Sequence, residues 1–277
     1  MKRNKFKIYK ANGACEEFSK IKLFNSLKRS GLSDRESRNI TRKVTAEIGE
    51  GFKTRDIYRK THKIITQISP KAAIHYSLKR AIFELGPSGH PFENFVAKYF
   101  EANGYTTRTC VSIRGKLVTH EVDIEGIKIS EKIYVECKFH NRLGIKNDIK
   151  VALYVKARMD DLKEGPQGKN LSHFYVASNT AFSEDAIVYA AGSGFTLLGM
   201  NAPKDKPFIE EIKSLGLYPI TSLKNLSKKM RVQLIVKNII LARELYEKRD
   251  MLKRMGVSDI DIQNLMTEIE MLNGRIS

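Results

Sequence analysis

The sequence predicts an α/β fold with a mixed sheet at its centre, a hairpin and helices before it, and an all-α tail after it. Apolar residues make up 42% of the 277 residues, which is enough for more than one core and excludes a disordered or fibrous chain. Strand-like and helical patterns alternate in the middle of the chain. A break rich in glycine and proline at 86–89 and a polar break with two prolines at 201–207 separate three predicted domains, 1–87, 88–203 and 204–277.

Residues 1–87 are predicted to form a short hairpin followed by a bundle of helices. Apolar and polar residues alternate over 6–10, the Asn12-Gly13 pair is a strong turn signal, and 14–18 can return as the second strand. Ser33 and Glu36 have the spacing of a capping box. Helices are predicted to begin near Lys20, Ser33, Thr54 and Pro70, the last with Ser69 as its N-cap.

Residues 88–203 are predicted to hold a sheet with helices packed over it. Gly104 ends the first helix, and Gly115 and Gly126 separate the three strands that follow. The predicted order is a helix at 91–103, strands at 105–114, 117–125 and 131–138, a helix at 147–161, a strand at 172–177, a helix capped by Ser183 and a strand at 195–199. This alternation is typical of a mixed sheet covered by helices.

Residues 204–277 are predicted to be mostly helical. Apolar residues recur at near-helical spacing from Leu223 to Leu252, and Ser258 is expected to cap a last helix. Such a stripe usually faces a core, so we expect the tail to dimerise or to pack against the middle domain. DNA contact is a weaker alternative, through Lys228, Lys229 and Arg231.

Basic residues concentrate near the N-terminus. The net charge is +18, and residues 1–87 carry 21 Lys and Arg against 8 Asp and Glu. This surplus favours partners that carry phosphate, since clustered cations gain from displacing counterions around a polyanion. A basic surface that serves only solubility is the alternative.

The remaining composition points to an ordinary cytoplasmic protein. The three cysteines are odd in number and lack CxxC spacing, which argues against a disulfide framework and against a structural zinc site. No apolar stretch approaches the roughly 20 residues needed to span a bilayer, and the first residues are charged, so we expect no membrane association.

Carboxylates and a lysine on two predicted strands give the strongest functional signal. By alternation, Asp123 projects from one face of the second strand, while Glu136 and Lys138 share a face of the third. If these strands form an antiparallel hairpin with matched apolar faces, Asp123 lies near Glu136. A divalent ion such as Mg²⁺ would neutralise the pair and activate water towards a phosphodiester, with Lys138 stabilising the developing charge. The alternative is that these are ordinary charged residues on the solvent-exposed face of an antiparallel sheet, which alternate in the same way.

The middle segment resembles the PD-(D/E)XK nuclease superfamily and, more narrowly, its Mrr-like restriction endonucleases. The resemblance covers about 88–200 and rests on Phe92-Glu93, Gly104-Tyr105, Val122-Asp123-Ile124, Val135-Glu136-Cys137-Lys138 and the stretches at 176–186 and 194–198. It implies that Asp123 and Glu136 bind Mg²⁺, with Mn²⁺ as a substitute, and that Lys138 is the catalytic lysine. Glu93 would complete or orient the metal site.

Residues 6–85 resemble the ATP-cone, a regulatory nucleotide-binding domain of ribonucleotide reductases and of their transcriptional repressor. The matching stretches lie at 8–13, 16–23, 54–57 and 72–83. The resemblance implies that ATP or dATP contacts Ile8, Lys10, Glu16, Ser19, Lys22 and Thr54. Ala11 and Asn12 stand where the family usually has Arg and Asp, which removes one or two phosphate contacts. A degenerate module for oligomerisation or nucleic-acid docking is the alternative.

These expectations combine into a nucleotide-regulated, Mg²⁺-dependent deoxyribonuclease that forms a homo-oligomer, with defence as its expected setting. DNA is the expected substrate and RNA the alternative, and an adenine nucleotide is the expected ligand of the ATP-cone. A nucleotide-responsive DNA-binding regulator that uses the same sheet without cleavage is the rival from another class.

Overall fold

The computed structural model describes residues 6–10, 13–142 and 144–273, and the chain divides into two compact units. One unit comprises Met1–Arg80 with Arg142–Gly144, and the other comprises Ala81–Asn141 with Ile145–Ser277. The second unit therefore holds the predicted sheet together with the C-terminal segment. In the described part of the chain, no helix is long and apolar enough to cross a bilayer.

A hairpin and four helices occupy the N-terminal part of the chain. Strands β1 (Lys7–Tyr9) and β2 (Cys15–Glu17) pair antiparallel, as the alternation predicted. The helices are α1 (Lys20–Arg29), α2 (Asp34–Ala46), α3 (Thr54–Ile68) and α4 (Pro70–Phe83). The capping box at the start of α2 is present. The expected turn residue Asn12 and its neighbour Ala11 lie outside the described residues.

The described residues of the second unit form seven strands, five of which make a mixed sheet. They are β3 (Thr106–Arg114), β4 (Thr119–Lys128), β5 (Glu131–Lys138), β6 (Lys146–Asn147), β7 (Leu171–Ser178), β8 (Ala181–Phe182) and β9 (Thr196–Leu198). The sheet order is β3-β4-β5-β7-β9, with antiparallel pairing among the first three strands and parallel pairing after β5. Sequence analysis missed β6 and β8, which form a separate parallel pair of two residues each.

Three helices accompany this sheet, in the order that the sequence predicted. They are α5 (His90–Ala102), α6 (Ile149–Glu164) and α7 (Glu184–Gly192). Helix α6 begins two residues later than expected because the Asp148 side chain accepts a hydrogen bond from Lys150 N and caps it. Apolar residues of α6 and α7 pack in one cluster with Tyr134, Phe174 and Val176 of the sheet.

The described part of the C-terminal segment contains four helices of 6 to 15 residues. They are α8 (Phe208–Ser214), α9 (Lys228–Val236), α10 (Arg249–Arg254) and α11 (Asp259–Asn273), with 3₁₀ turns at Ile220–Ser222 and Ala242–Leu245. The periodic stripe over 223–252 does not form one helix, because Asn238 has a φ of +56° and Leu241 is extended. Its leucines are nonetheless buried, as a core-facing stripe requires.

The tail packs against the middle segment, which is one of the two alternatives that the sequence left open. The Tyr99 hydroxyl on α5 donates a hydrogen bond to Glu211 on α8, and the ring of Tyr99 meets that of Phe208 edge-on at 4.9 Å. The Thr221 hydroxyl donates to the carbonyl of Ala81 at 2.6 Å. Buried polar contacts of this kind fix the tail relative to the sheet.

Candidate active site

The hairpin of β4 and β5 brings Asp123 and Glu136 together where the two strands separate. The paired register ends at Ile124 and Val135, and its continuation puts Asp123 across from Glu136. Beyond that last pair, Oδ2 of Asp123 accepts a hydrogen bond from the backbone N–H of Cys137 at 2.6 Å. The Cys137 N–H thus bonds to the Asp123 side chain in place of a backbone carbonyl, and this bond holds the Asp123 carboxylate beside Glu136.

Burial and neighbouring negative charge both raise the pKa of Asp123. Burial and, next, the Glu136 carboxylate raise the pKa of Asp123 from 3.8 to about 7. Glu93 on α5 raises this pKa further, whereas the Cys137 N–H and the Lys138 ammonium lower it. Carboxylates from a helix and two strands therefore act on one region, and a bound cation would relieve their repulsion.

Two cationic side chains hold Glu136, which is only 4% exposed. Nζ of Lys138 donates to Oε1 of Glu136 at 2.5 Å, and Arg158 on α6 donates to Oε2. Arg158 also donates to the carbonyl of Glu121. The cationic groups of Lys138 and Arg158 both lie over the Tyr154 ring, within 6 Å of its centroid. Sequence analysis missed Arg158, since nothing in its spacing links it to a strand 22 residues earlier.

A buried polar network fixes the end of β5. The Ser178 hydroxyl donates to the carbonyl of Lys138 at 2.8 Å, and the Asn147 amide donates to that hydroxyl at 2.8 Å. The His140 ring lies 2.8 Å from the Asn147 amide oxygen. Asn147 of β6 and Ser178 of β7 therefore anchor the backbone that carries Lys138, a role that the polar loop sequence did not reveal.

Glu93 lies in the first turn of α5, where its neighbours are a histidine and a cysteine. Its Oε2 lies 3.3 Å from Nδ1 of His90 and 3.9 Å from Sγ of Cys110. Cys110 occupies the β3 position opposite Asp123, as the pairs on either side of it show. Burial, followed by the charge of Glu93, raises the pKa of the Cys110 thiol. Sequence analysis singled out Glu93 but neither of its two neighbours.

The residues expected to bind a nucleotide lie mostly around the hairpin of β1 and β2. Nζ of Lys10 and Nζ of Lys22 lie 2.8 and 3.1 Å from Oε2 of Glu16. Hydrogen bonding to Lys10 is the main cause that lowers the pKa of Glu16. Ser19 caps α1 by accepting from Lys22 N. These four residues form a compact polar cluster.

The other two expected nucleotide ligands have different surroundings. Ile8 is buried in the hydrophobic cluster of the first unit. Thr54 begins α3 and follows the segment whose Phe52 carbonyl accepts from Tyr9 N, which places the start of α3 next to β1. Thr54 therefore lies near the hairpin, whereas Ile8 contributes to the core.

Two parts of the second unit are similar to known protein families. Residues 86–202 match the model of a family described as restriction endonuclease, Mrr_cat, and residues 218–273 match a family described as AF1548-like, C-terminal. The chain thus carries a restriction-endonuclease-like catalytic domain, which confirms the coarser part of the resemblance. Neither of these models extends into residues 1–85.

Two relatives each match about two thirds of the chain. An uncharacterized protein of Archaeoglobus fulgidus is 28% identical over 180 residues, which cover 65% of this chain and all of the relative. A crystal structure of a protein of unknown function, AF1548, has a TM-score of 0.55 and 28% identity, and the match covers 68% of this chain and all of that one. Each of the two matches leaves about a third of the present chain uncovered.

Proposed function

We propose that the second unit is a Mg²⁺-dependent deoxyribonuclease of the Mrr-like PD-(D/E)XK type. The observation that carries this proposal is the meeting of Asp123 and Glu136, from adjacent strands, beside the ammonium of Lys138. A restriction-endonuclease-like domain implies DNA as substrate, and such domains typically use divalent metals. The match to the family model over 86–202 supports the same assignment.

The donor set suits Mg²⁺, with Mn²⁺ as a substitute. Asp123 and Glu136 offer carboxylate oxygens, which hard divalent ions prefer. Burial and, next, the neighbouring Glu136 carboxylate raise the pKa of Asp123, so a bound cation would offset both effects. Glu93 would orient this pair from α5. When bound, the ion supplies polarisation of the phosphate and acidification of water.

The chain's own residues have separate tasks in this proposal. The Cys137 N–H fixes the Asp123 carboxylate, and Arg158 fixes the far oxygen of Glu136. Lys138 is held by Glu136 and faces the same region, so its ammonium stabilises the negative charge that develops on the phosphate oxygens. Lys138 is thus proposed as catalytic and Arg158 as a positioning residue.

Cleavage of plasmid DNA tests the assignment. We expect Asp123→Asn and Lys138→Met each to slow Mg²⁺-dependent cleavage at least about a hundredfold while DNA binding persists. Asp160→Asn and Lys116→Met are matched controls, because both residues are exposed and pair only with neighbours outside the site. Cleavage that survives both site changes would put the active site elsewhere.

The same assay separates the alternatives. Wild-type protein that binds DNA but cuts neither DNA nor RNA with Mg²⁺ or Mn²⁺ would favour the non-cleaving DNA-binding regulator. Parallel incubations with DNA and RNA of the same sequence decide the substrate, and faster cleavage of RNA would contradict the proposed deoxyribonuclease.

We propose that the first unit is an ATP-cone that binds ATP or dATP and regulates the nuclease. The cluster of Lys10, Glu16, Ser19 and Lys22 supports this, since it gathers two ammonium groups that a polyphosphate would attract. A nucleotide can shift the protein between states, including oligomeric states, only if it binds one of them more tightly.

Calorimetric titration tests nucleotide binding. Wild-type protein should release heat with ATP or dATP, and Lys22→Ala should weaken binding, whereas Lys28→Ala, nearly two turns further along α1 and paired with Asp34, should not. Absence of heat with both nucleotides would favour the degenerate module. Light scattering with and without nucleotide measures the expected homo-oligomer and its response.

A further inference from the structure

His90, Glu93 and Cys110 bring three different ligand types to one point. One nitrogen, one oxygen and one sulfur atom from these side chains all lie within 4.8 Å of one another. Among the residues that the structure describes, this is the group of His, Cys, Asp and Glu side chains that meets the spacing of a metal site. We propose that these three side chains form a second metal site, which binds Zn²⁺ and shares Glu93 with the proposed Mg²⁺ site.

The separations between the ligand atoms match tetrahedral zinc. Nδ1 of His90 lies 3.3 Å from Oε2 of Glu93, Sγ of Cys110 lies 3.9 Å from that oxygen, and the sulfur and nitrogen are 4.0 Å apart. Zinc bonds of about 2.0–2.3 Å at tetrahedral angles put ligand atoms about 3.3–3.8 Å apart. Contraction of a few tenths of an ångström would therefore close the three atoms around the ion.

The fold builds this arrangement from two elements. His90 and Glu93 lie three residues apart at the start of α5, so they share a face of the helix. Gly89 precedes them, and a Cβ at that position would lie 3.3 Å from Oε1 of Glu93. The absence of a side chain at Gly89 therefore leaves room for the carboxylate to face Cys110 on β3.

The backbone of Cys110 departs from regular strand geometry. Its φ is +53°, in the left-handed region that non-glycine residues rarely adopt, although the pairs Thr109–Ile124 and Val111–Val122 keep the same register on both sides. A strained position inside a regular ladder is found most often at functional sites. Here its side chain meets the carboxylate and imidazole of α5.

The donor chemistry selects zinc over magnesium. Thiolate and imidazole suit Zn²⁺, whereas Mg²⁺ demands oxygen ligands in octahedral geometry. On binding, the Cys110 thiol gives its proton to solvent and the sulfur donates an electron pair to the ion. Three protein ligands leave the fourth position to water, as in zinc sites that remain open. CxxC spacing cannot reveal such a site, because its ligands come from a helix and a distant strand.

Cobalt spectroscopy tests the site in full-length, tag-free protein stripped of metal. The first equivalent of Co²⁺ is expected to give a thiolate-to-cobalt charge-transfer band and the intense visible bands of tetrahedral coordination. Zn²⁺ should abolish these bands stoichiometrically, and a large excess of Mg²⁺ should leave them unchanged. This readout is independent of DNA cleavage, so failure of the zinc site and failure of the nuclease proposal are distinguishable.

Variants identify the ligands. Cys110→Ser should remove the charge-transfer band, and His90→Gln should weaken Zn²⁺ binding at least about tenfold, as measured by competition with a chromophoric chelator. Cys15→Ser is the control, because Cys15 is an exposed cysteine of the first unit and should leave the spectrum intact. His90 is exposed, so its change keeps the test valid if Cys110→Ser misfolds. A band that persists in Cys110→Ser, or Zn²⁺ affinity unchanged in His90→Gln, would overturn the proposal.

Discussion

Replacing Asp123 by Asn should stabilise the metal-free protein. Burial and the Glu136 carboxylate raise the pKa of Asp123 from 3.8 to about 7, so the folded protein carries the ionised side chain at a cost in free energy. Asparagine has nearly the same shape, carries no charge and keeps an oxygen that can accept the Cys137 N–H. The substitution therefore removes repulsion and retains the hydrogen bond.

The size of the effect follows from the linkage between protonation and folding. A rise from 3.8 to about 7 is about three pKa units, or ~4 kcal/mol as an upper bound at about 1.36 kcal/mol per unit. Because Asp123 retains some solvent exposure and the site can relax, we expect about 1–3 kcal/mol in the free energy of unfolding.

The sign of the pH dependence follows from the direction of the shift. The folded pKa of Asp123 lies above the unfolded one, so the folded state retains a proton that the unfolded state has lost between pH 3.8 and about 7. Wild-type protein keeps the full contribution below the unfolded pKa and loses it as the pH rises through about 7. The advantage of Asp123→Asn is therefore largest above pH 7 and disappears towards pH 4.

Urea denaturation with a chelator present, at about pH 8 and about pH 5, measures the difference. Asp160→Asn is the control and should shift stability by less than about 0.5 kcal/mol at either pH, because its carboxylate is exposed. Adding Mg²⁺ should stabilise the wild type more than Asp123→Asn. A variant no more stable than the wild type at about pH 8, or an advantage that does not change with pH, would refute this electrostatic account.

Three further substitutions probe contacts around the sheet. Arg158→Met leaves Glu136 with one cationic partner, and urea denaturation should show a loss of about 2–4 kcal/mol. Tyr99→Phe removes the hydrogen bond to Glu211, and thermal unfolding should report a loss of about 1–2 kcal/mol. Leu234→Ala leaves a cavity in the fully buried interior of the tail, which should cost about 2–5 kcal/mol in the same assay. For each variant, a loss below about 0.5 kcal/mol in the free energy of unfolding would contradict the stabilisation expected from the contact that it removes.

Local sequence patterns predicted the β3-β4-β5 part of the sheet well because these three strands are consecutive along the chain. The alternation around Asp123 and Glu136, together with a short turn, sets the register of β4 and β5, and the structure has that register. Capping residues likewise marked the starts of α2 and α7, where Ser33 and Ser183 accept hydrogen bonds from the first turns. These features depend on neighbours in sequence, so the sequence alone contains them.

Local sequence patterns could not predict features that depend on tertiary contacts. Arg158 reaches Glu136 only because α6 packs over the sheet, and Cys110 reaches Glu93 only because α5 lies beside β3. In the tail, periodicity predicted burial correctly but not the helix ends, since Asn238 interrupts a stripe whose leucines still face the core. Burial depends on where a residue faces, whereas helix continuity depends on backbone angles that a hydrophobic period does not encode.

The two carboxylates of the candidate site are prepared for a cation in opposite ways. Glu136 already has Lys138 and Arg158 as charged partners, so its carboxylate oxygens are paired before any metal binds. Asp123 has the Cys137 N–H as its hydrogen-bond donor and an unfavourable carboxylate neighbour. A divalent ion would therefore gain most of its electrostatic stabilisation at Asp123, where it removes repulsion, while Arg158 keeps Glu136 in place. Asp123→Asn should consequently weaken metal binding more than Arg158→Met, and calorimetric titration with Mn²⁺ on both variants compares the two losses directly.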